Sequence, residues 1–339
     1  MLIDSKIYNM RIGTVKLENN LILAPMLKVT TGPYRRFCRK FDTIGLVHVP
    51  MIYIKSLEKN PHSIYQNLYK IEEEHPISIQ LIGGERESFK NALDILSSYN
   101  YDILDINAGC PSKRAIHSKE GGFLLKDLTN FRSILDITTK FSSRPISLKI
   151  RSGFTSSDEL FQIIDVINNF DIDLVSIHGR TVKDRFELGK LDINSIKILK
   201  ENLSVPVVGN GDINSPQKAK RIMEYTNVDG LMIGRASMGN PRIFYQIRKY
   251  LECEKLSSNK KRIEDITDSL ILYEDIIDQM DYSSCETKKT IDEIKFEELR
   301  RNAIWLTKSI KNSTEMRIKL SKSKDLKNLK QKFKELFNL

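Results

Sequence analysis

VPVVGNGDINSPQKAKRIMEYTNVDGLMIGRA (205–236) reads as strand, glycine-rich turn, helix, strand and a second glycine-rich turn. The runs VPVV and GLMI are apolar throughout, which indicates parallel strands covered on both faces. Between them, 215–226 has helical spacing and opens at Asn214-Ser215-Pro216, a usual helix start. Working back along the chain, the same kind of run recurs as LILA (21–24), LVHV (46–49), ISIQL (77–81), ILDI (103–106), ISLKI (146–150) and LVSI (174–177). Helical spacing occupies 85–99, 122–140, 158–169 and 192–202. Eight such βα units match a (β/α)8 TIM barrel of roughly 250 residues better than an open doubly wound sheet.

The barrel is expected to end near Tyr250, giving a catalytic domain over 1–250 and a small all-α domain over 251–339. Strand patterns vanish there, proline is absent beyond Pro241, and 262–280, 289–311 and 323–337 carry helical periodicity. LSSNKK (256–261) reads as a linker and DYSSCET (281–287) as a loop between helices. Of the chain's net charge of +10, most sits at the end: residues 300–339 hold twelve Lys and Arg against three acids. Such a block suits a polyanion, whose counterions it releases, and equally a solvated lysine-rich face. No apolar run approaches the ~18 residues of a membrane span, and Met1–Ile12 lacks the order of a signal peptide, so a cytoplasmic protein without membrane contact is expected. Cys38, Cys110, Cys253 and Cys285 form no CxxC or paired spacing, which predicts reduced thiols and no metal site.

Barrel enzymes build their sites from the C-terminal ends of the strands. Here those ends carry Pro25-Met26, Met51, Gln80, Asn107, Lys149, His178, Asn210 and Gly234-Arg235. Lys149 within ISLKI would be costly to bury unless it is paired or faces a ligand. GNGDI (209–213) and IGRA (233–236) follow the last two strands, with a further helix expected to open near Ala236. Backbone amides at such turns form the phosphate site common to barrels, and Arg235 could add a charged contact. Cys110, between a glycine and a proline just past the rim, is placed to act as nucleophile or proton donor.

APMLKVTTGPYRRF (24–37), IQLIGG (79–84), DINAGCPSKR (105–114), EGGFLL (120–125), LKIRSG (148–153), IHGRT (177–181), PVVGNGDI (206–213) and DGLMIGRASMGNPRIF (229–244) occur in an order and spacing that resembles the tRNA-dihydrouridine synthase family. RRNAIWLTKSI (300–310) looks like the shorter motif of that family's helical domain. The resemblance implies an FMN-bearing barrel and a tRNA-binding helical domain that together reduce the 5,6 double bond of particular uridines, with NADPH or NADH as electron donor. It implies that Pro25, Met26 and Leu27 line one side of the flavin, that Gln80 and Lys149 bond its ring and ribityl edge, and that His178 contacts the flavin or its phosphate. Asn210, Gly211, Asp212, Gly234 and Arg235 would hold the phosphate end. Cys110 matches the general acid, Asn107 and Arg180 would hold the uracil, and Lys113, Arg114 and Arg151 the neighbouring phosphates. Partners are then tRNA and NAD(P)H, with the protein a monomer.

Lys28 stands where the family usually has a small residue, Thr31 where it often has Asp or Asn, and Pro50 where an acid is more usual. These departures bear on which uridine is chosen. Rival readings are an FMN barrel acting on a free pyrimidine, an inactive tRNA-binding chaperone, and a Schiff-base aldolase using Lys149. The first leaves the basic terminal block without a purpose, the second the Cys110, Lys149 and glycine-turn set, and the third the paired phosphate turns.

Overall fold

The computed structural model describes residues 7–61, 65–68, 71–253, 263–280, 289–308 and 310–337. The expected linker, the loop 281–287 and Cys285 lie outside them. A hairpin of β1 (Met10–Ile12) and β2 (Val15–Leu17) precedes the barrel strands β3 (Leu21–Leu23), β4 (Val47–His48), β5 (Ile52–Tyr53), β6 (Ile77–Ile82), β7 (Ile103–Ala108), β8 (Ile146–Arg151), β9 (Leu174–His178), β10 (Val207–Asn210) and β11 (Gly230–Ile233). Parallel pairing runs β3-β11-β10-β9-β8-β7-β6-β4, with β5 also on β6. One parallel bridge, Ile22 to Leu46, nearly closes the ring into eight staves. The second stave is split into β4 and β5 around Pro50, which has no N–H to give a ladder.

Side chains alternate across a strand, so every second residue faces the barrel axis. At the N-terminal ends those residues are apolar: Ile22, Leu46, Ile103, Leu174, Val208 and Met232 pack with Met10, Ile12 and Leu17 of the hairpin, which plugs the bottom. Two residues further along the same faces stand Ala24, Asp105, Ser176, Asn210 and Gly234. Asn107 and His178 follow after two more. The interior thus changes from dry to polar from bottom to top. The outward residues, among them Ile79, Leu81, Leu104, Ile106, Leu148, Ile150, Val175 and Ile177, are wholly buried beneath the helices.

The C-terminal region forms helices Ile263–Asp278, Ile291–Leu306, Ser313–Ser321 and Leu326–Phe337. The helix over 313–321 is not visible in the periodicity because only Leu320 on it is buried. This region docks on Gly32–Arg39 of the barrel layer: Tyr273 meets Phe37 edge-on at 5.0 Å, and Trp305 meets Tyr34 at 5.8 Å. Beneath the same helix, the fully buried Arg35 guanidinium donates through Nε to Glu74 Oε2 at 2.5 Å and through Nη2 to Oε1 at 3.1 Å. Removing one partner of such a pair leaves an uncompensated buried charge. Glu74→Ala is expected to lower stability by about 3–5 kcal/mol in urea unfolding, with Glu74→Gln losing less because the amide oxygen still accepts from Arg35.

Candidate active site

A cleft of about 630 Å³ opens at the C-terminal end of the barrel, within the ~300–1,000 Å³ range of ligand pockets. Its deepest support is Asp105 inside β7, which accepts from Ser147 Oγ and Gln80 Nε2, each at 2.5 Å. Burial pushes its carboxyl up to about 6. The Gln80 carbonyl accepts from Asn107 Nδ2 at 2.9 Å, and Asn107 Oδ1 accepts the backbone N–H of Gly109 and of Cys110 at 3.1 and 2.9 Å. The loop bearing Cys110 is therefore suspended from the barrel interior. Its thiol donates to Ser112 Oγ at 3.5 Å, and Ser112 caps the helix Lys113–His117. Behind it lies the GG of EGGFLL: a Cβ at Gly121 would stand 2.9 Å from Cys110 Cβ, and one at Gly122 2.9 Å from its carbonyl oxygen. The glycines let that backbone close on the cysteine.

Across the cleft, Lys149 donates to Asn210 Oδ1 at 3.3 Å, and Asn210 is itself fixed by its bond to the Met232 carbonyl at 2.7 Å. Burial, helped by the charge of Arg151, lowers the Lys149 ammonium to about 8. His178 is 6% exposed and held neutral by burial and by the surrounding Lys149, Arg151, Arg180 and Arg235. Its Nδ1 has no protein partner among the described residues. At the far end, Gly211 (φ 130°) and Asp212 (φ 46°) turn the chain, with Gly234 and Arg235 opposite. Asp212 accepts from Arg180 at 2.6 Å and from Arg235 at 3.1 Å, and the hydrogen bond from Arg180 holds its carboxyl below the usual range.

Residues 22–338 match the family model for dihydrouridine synthase. The chain belongs to the dihydrouridine synthase family. It is 34% identical over 253 residues to tRNA-dihydrouridine synthase B of Pasteurella multocida, covering 73% of this chain and 74% of that one. It is 36% identical over 244 residues to the enzyme of the same name from Vibrio parahaemolyticus, covering 72% and 75%. Among solved structures it is similar in fold to histamine dehydrogenase from Rhizobium sp. 4-9, with TM-score 0.56 and 13% identity over 80% of this chain and 51% of that one. Morphinone reductase matches with TM-score 0.52 and 11% identity over 74% and 90%. Dihydrouridine synthases are oxidoreductases, and the chain is one. No helix among the described residues is long and apolar enough to cross a membrane.

For a dihydrouridine synthase read from sequence, several expected positions differ in the structure. Pro25, Met26, Leu27, Asn107, Cys110, Lys149, Arg151, His178, Asn210, Gly211, Asp212, Gly234 and Arg235 do line one cleft. Gln80 does not; it is buried behind Asn107. Arg180 is also buried, under the loop, giving Nε to the Glu187 carbonyl at 2.8 Å and Nη2 to Asp212, so it cannot meet a uracil directly. Arg151 reaches the cleft wall, but its donors bind the carbonyls of Gly109, Thr181 and Arg185 at 2.9, 2.8 and 2.6 Å. A guanidinium at a strand end reads as a rim charge, yet loop carbonyls can absorb its fork of donors. Lys113 and Arg114 are exposed beside Cys110, Arg114 lying over the Tyr53 ring at 4.0 Å. The region near Ala236 is a turn, and the next helix starts at Ile243.

Sequence reasoning misses Phe186, Leu188, Lys218 and Lys308, all of which line the cleft. The signal for Phe186 and Leu188 is two apolar residues within the otherwise polar KDRFELGK (183–190). The structure explains one departure from the family: the Thr31 hydroxyl donates to Glu298 Oε2 at 3.1 Å, which an aspartate could not do. Lys28 adopts φ 61°, a conformation that favours glycine, and nothing in the structure explains a lysine there.

In the ligand-free protein, one lysine side-chain resonance is expected to titrate near pH 8 and to be missing from Lys149→Met. The folded value lies below that of the unfolded chain, so unfolded molecules bind more protons between pH 8 and about 10. Across that window the wild type should gain stability relative to Lys149→Met as pH rises.

Proposed function

We propose that the protein reduces the 5,6 double bond of uridines in tRNA, with FMN in the barrel cleft and NADPH or NADH as the electron donor. The observation that carries this reading is the convergence of Cys110, Lys149, neutral His178 and two glycine turns on one cleft. The donor set suits FMN. The His178 imidazole and the Lys149 ammonium, both at the cleft wall, would offer polar contacts to its ring and ribityl side. Pro25, Met26 and Leu27 supply an apolar wall. Backbone amides at the Gly211-Asp212 and Gly234 turns, with the exposed Arg235, would hold the terminal phosphate, and Asn210 would serve through its side chain. The Asp212 carboxylate is committed to arginines, so that residue serves the phosphate through its backbone and through the placement of Arg235.

When bound, FMN supplies the hydride that goes to carbon 6 of the uracil. The Cys110 thiol gives the proton to carbon 5, held at the cleft mouth by the Asn107 bond to its backbone. Lys149 beside the flavin offsets negative charge there. Gln80 acts through Asn107, and Arg180 through Asp212. The target base lies in tRNA and must leave its stack to enter; Lys113 and Arg114, exposed on the helix that follows Cys110, would meet the flanking phosphates. Residues 1–250 serve as the catalytic unit, and the helices over 251–339 serve to bind tRNA.

Unmodified tRNA incubated with the protein, FMN and NADPH is expected to gain dihydrouridine at defined positions. Cys110→Ala should keep its flavin and lose turnover by at least ~10²-fold, the scale of a general acid; unchanged turnover would remove Cys110 from that role. On the helix Leu326–Phe337, Leu329, Phe333 and Phe337 face inward and Lys327, Lys330 and Lys334 outward, although Lys330 is paired with Glu274. Replacing Lys322, Lys324 and Lys327 by alanine is expected to weaken tRNA binding and reduce the slope of log affinity against log salt by roughly one for each phosphate that is no longer neutralised. An unchanged slope would make these lysines solvated surface only.

A further inference from the structure

We infer that the C-terminal helical region completes the phosphate-binding end of the cleft by contributing Lys308, whose ammonium takes a phosphate group. This rests on the flavin-and-tRNA reading of the same cleft. Lys308 lies just past the helix Ile291–Leu306, far in sequence from every barrel motif, yet it lines the cleft together with Lys218, Gly234, Arg235, Ala236 and Met238. The side chain is exposed, and no carboxylate lies within ion-pair distance of it among the described residues.

Its position is fixed from beneath. Thr307 is fully buried, with its N–H bonded to the Ala303 carbonyl at 3.2 Å, and the Lys308 N–H bonds the Trp305 carbonyl at 3.0 Å. That same Trp305 carbonyl abuts Gly239 (φ 76°), where a Cβ would come within 1.9 Å of its oxygen, so the loop after β11 and this helix end lie in close contact. The Trp305 ring packs edge-on against Tyr34, the Tyr34 hydroxyl lies 3.0 Å from Ser237 Oγ, and Ser237 donates to the Gly234 carbonyl at 2.8 Å. A continuous path of contacts thus runs from the helix end to the glycine turn that faces the phosphate. Lys218 and Arg235 already make this end cationic, and an ammonium added there favours an anion.

The phosphate can come from the flavin or from the RNA backbone, and the two are separable. Wild type, Lys308→Met and Lys308→Arg of the full chain are titrated with FMN, with riboflavin and with tRNA. If the flavin phosphate is the ligand, Lys308→Met weakens FMN binding by about tenfold, one charge-assisted contact, riboflavin binding is unchanged, and Lys308→Arg restores much of the affinity. If an RNA phosphate is the ligand, FMN binding holds and the KM for tRNA rises by a similar factor with kcat kept. A lysine after a helix C-terminus can also simply balance the helix dipole. In that case Lys308→Met lowers thermal stability and leaves all three affinities unchanged, which overturns the inference. A wild type that binds neither FMN nor riboflavin overturns the flavin reading itself, and this inference with it.

Discussion

Asp105 is the residue on which the upper half of the barrel depends. A carboxyl inside a parallel barrel must have its oxygens satisfied, and here Ser147 and Gln80 satisfy them. Gln80 has one amide group, so giving its N–H to Asp105 leaves its carbonyl for Asn107. Asn107 in turn has its carbonyl left for two backbone N–H groups of the loop that carries Cys110. Each choice of donor and acceptor dictates the next. The position of the thiol at the cleft mouth is therefore set in the barrel interior, by Asp105 on the same strand acting through Gln80 on the neighbouring one, and the glycines of EGGFLL close the other side.

The second constraint is charge. Lys149, Arg151, Arg180 and Arg235 surround His178, and Asp212 pairs with two of them, Arg180 and Arg235, at the glycine turns. Burial, reinforced by these like charges, lowers Lys149 and Arg151 and keeps His178 neutral. Two of the arginines are relieved by backbone carbonyls. The remaining positive potential is relieved by an anion, which makes the cleft a better host for a phosphorylated ligand than for a neutral one. A Schiff-base role for Lys149 would need no such surplus of cations. An anionic cofactor does.

Much of this was legible in the sequence, for a physical reason. Strands buried on both faces leave apolar runs, and polar residues tolerated at their C-terminal ends stand out against them: Asn107, Lys149, His178 and Asn210 were all visible that way. Gln80 reads the same way in sequence and lies behind Asn107 instead, because pattern gives the strand end and not the direction of the side chain; Arg180, expected only from the family resemblance, is buried as well. The hairpin Met10–Leu17 escaped notice because its strands have three residues each, too few for a period. The helix over 313–321 escaped because it buries almost nothing.

Least legible was the contact between the helical region and the barrel, since it joins residues nearly the whole chain apart. Glu298 shows what that contact does. Its Oε2 accepts from Tyr273 at 2.6 Å and from Thr31 at 3.1 Å, and Arg301 pairs with its other oxygen. Thr31 begins the helix Gly32–Arg39, five residues past the Met26 that walls the cleft. An aspartate there, one of the two residues the family resemblance leads one to expect, would set two carboxylates against each other at this interface, whereas an asparagine could donate as threonine does. Threonine removes that repulsion and gives Glu298 a donor. The substitution at Thr31 is thus best understood together with Glu298, as a pair that fixes how the helical region sits on the barrel, and the angle at which RNA bound to those helices would approach the cleft follows from it.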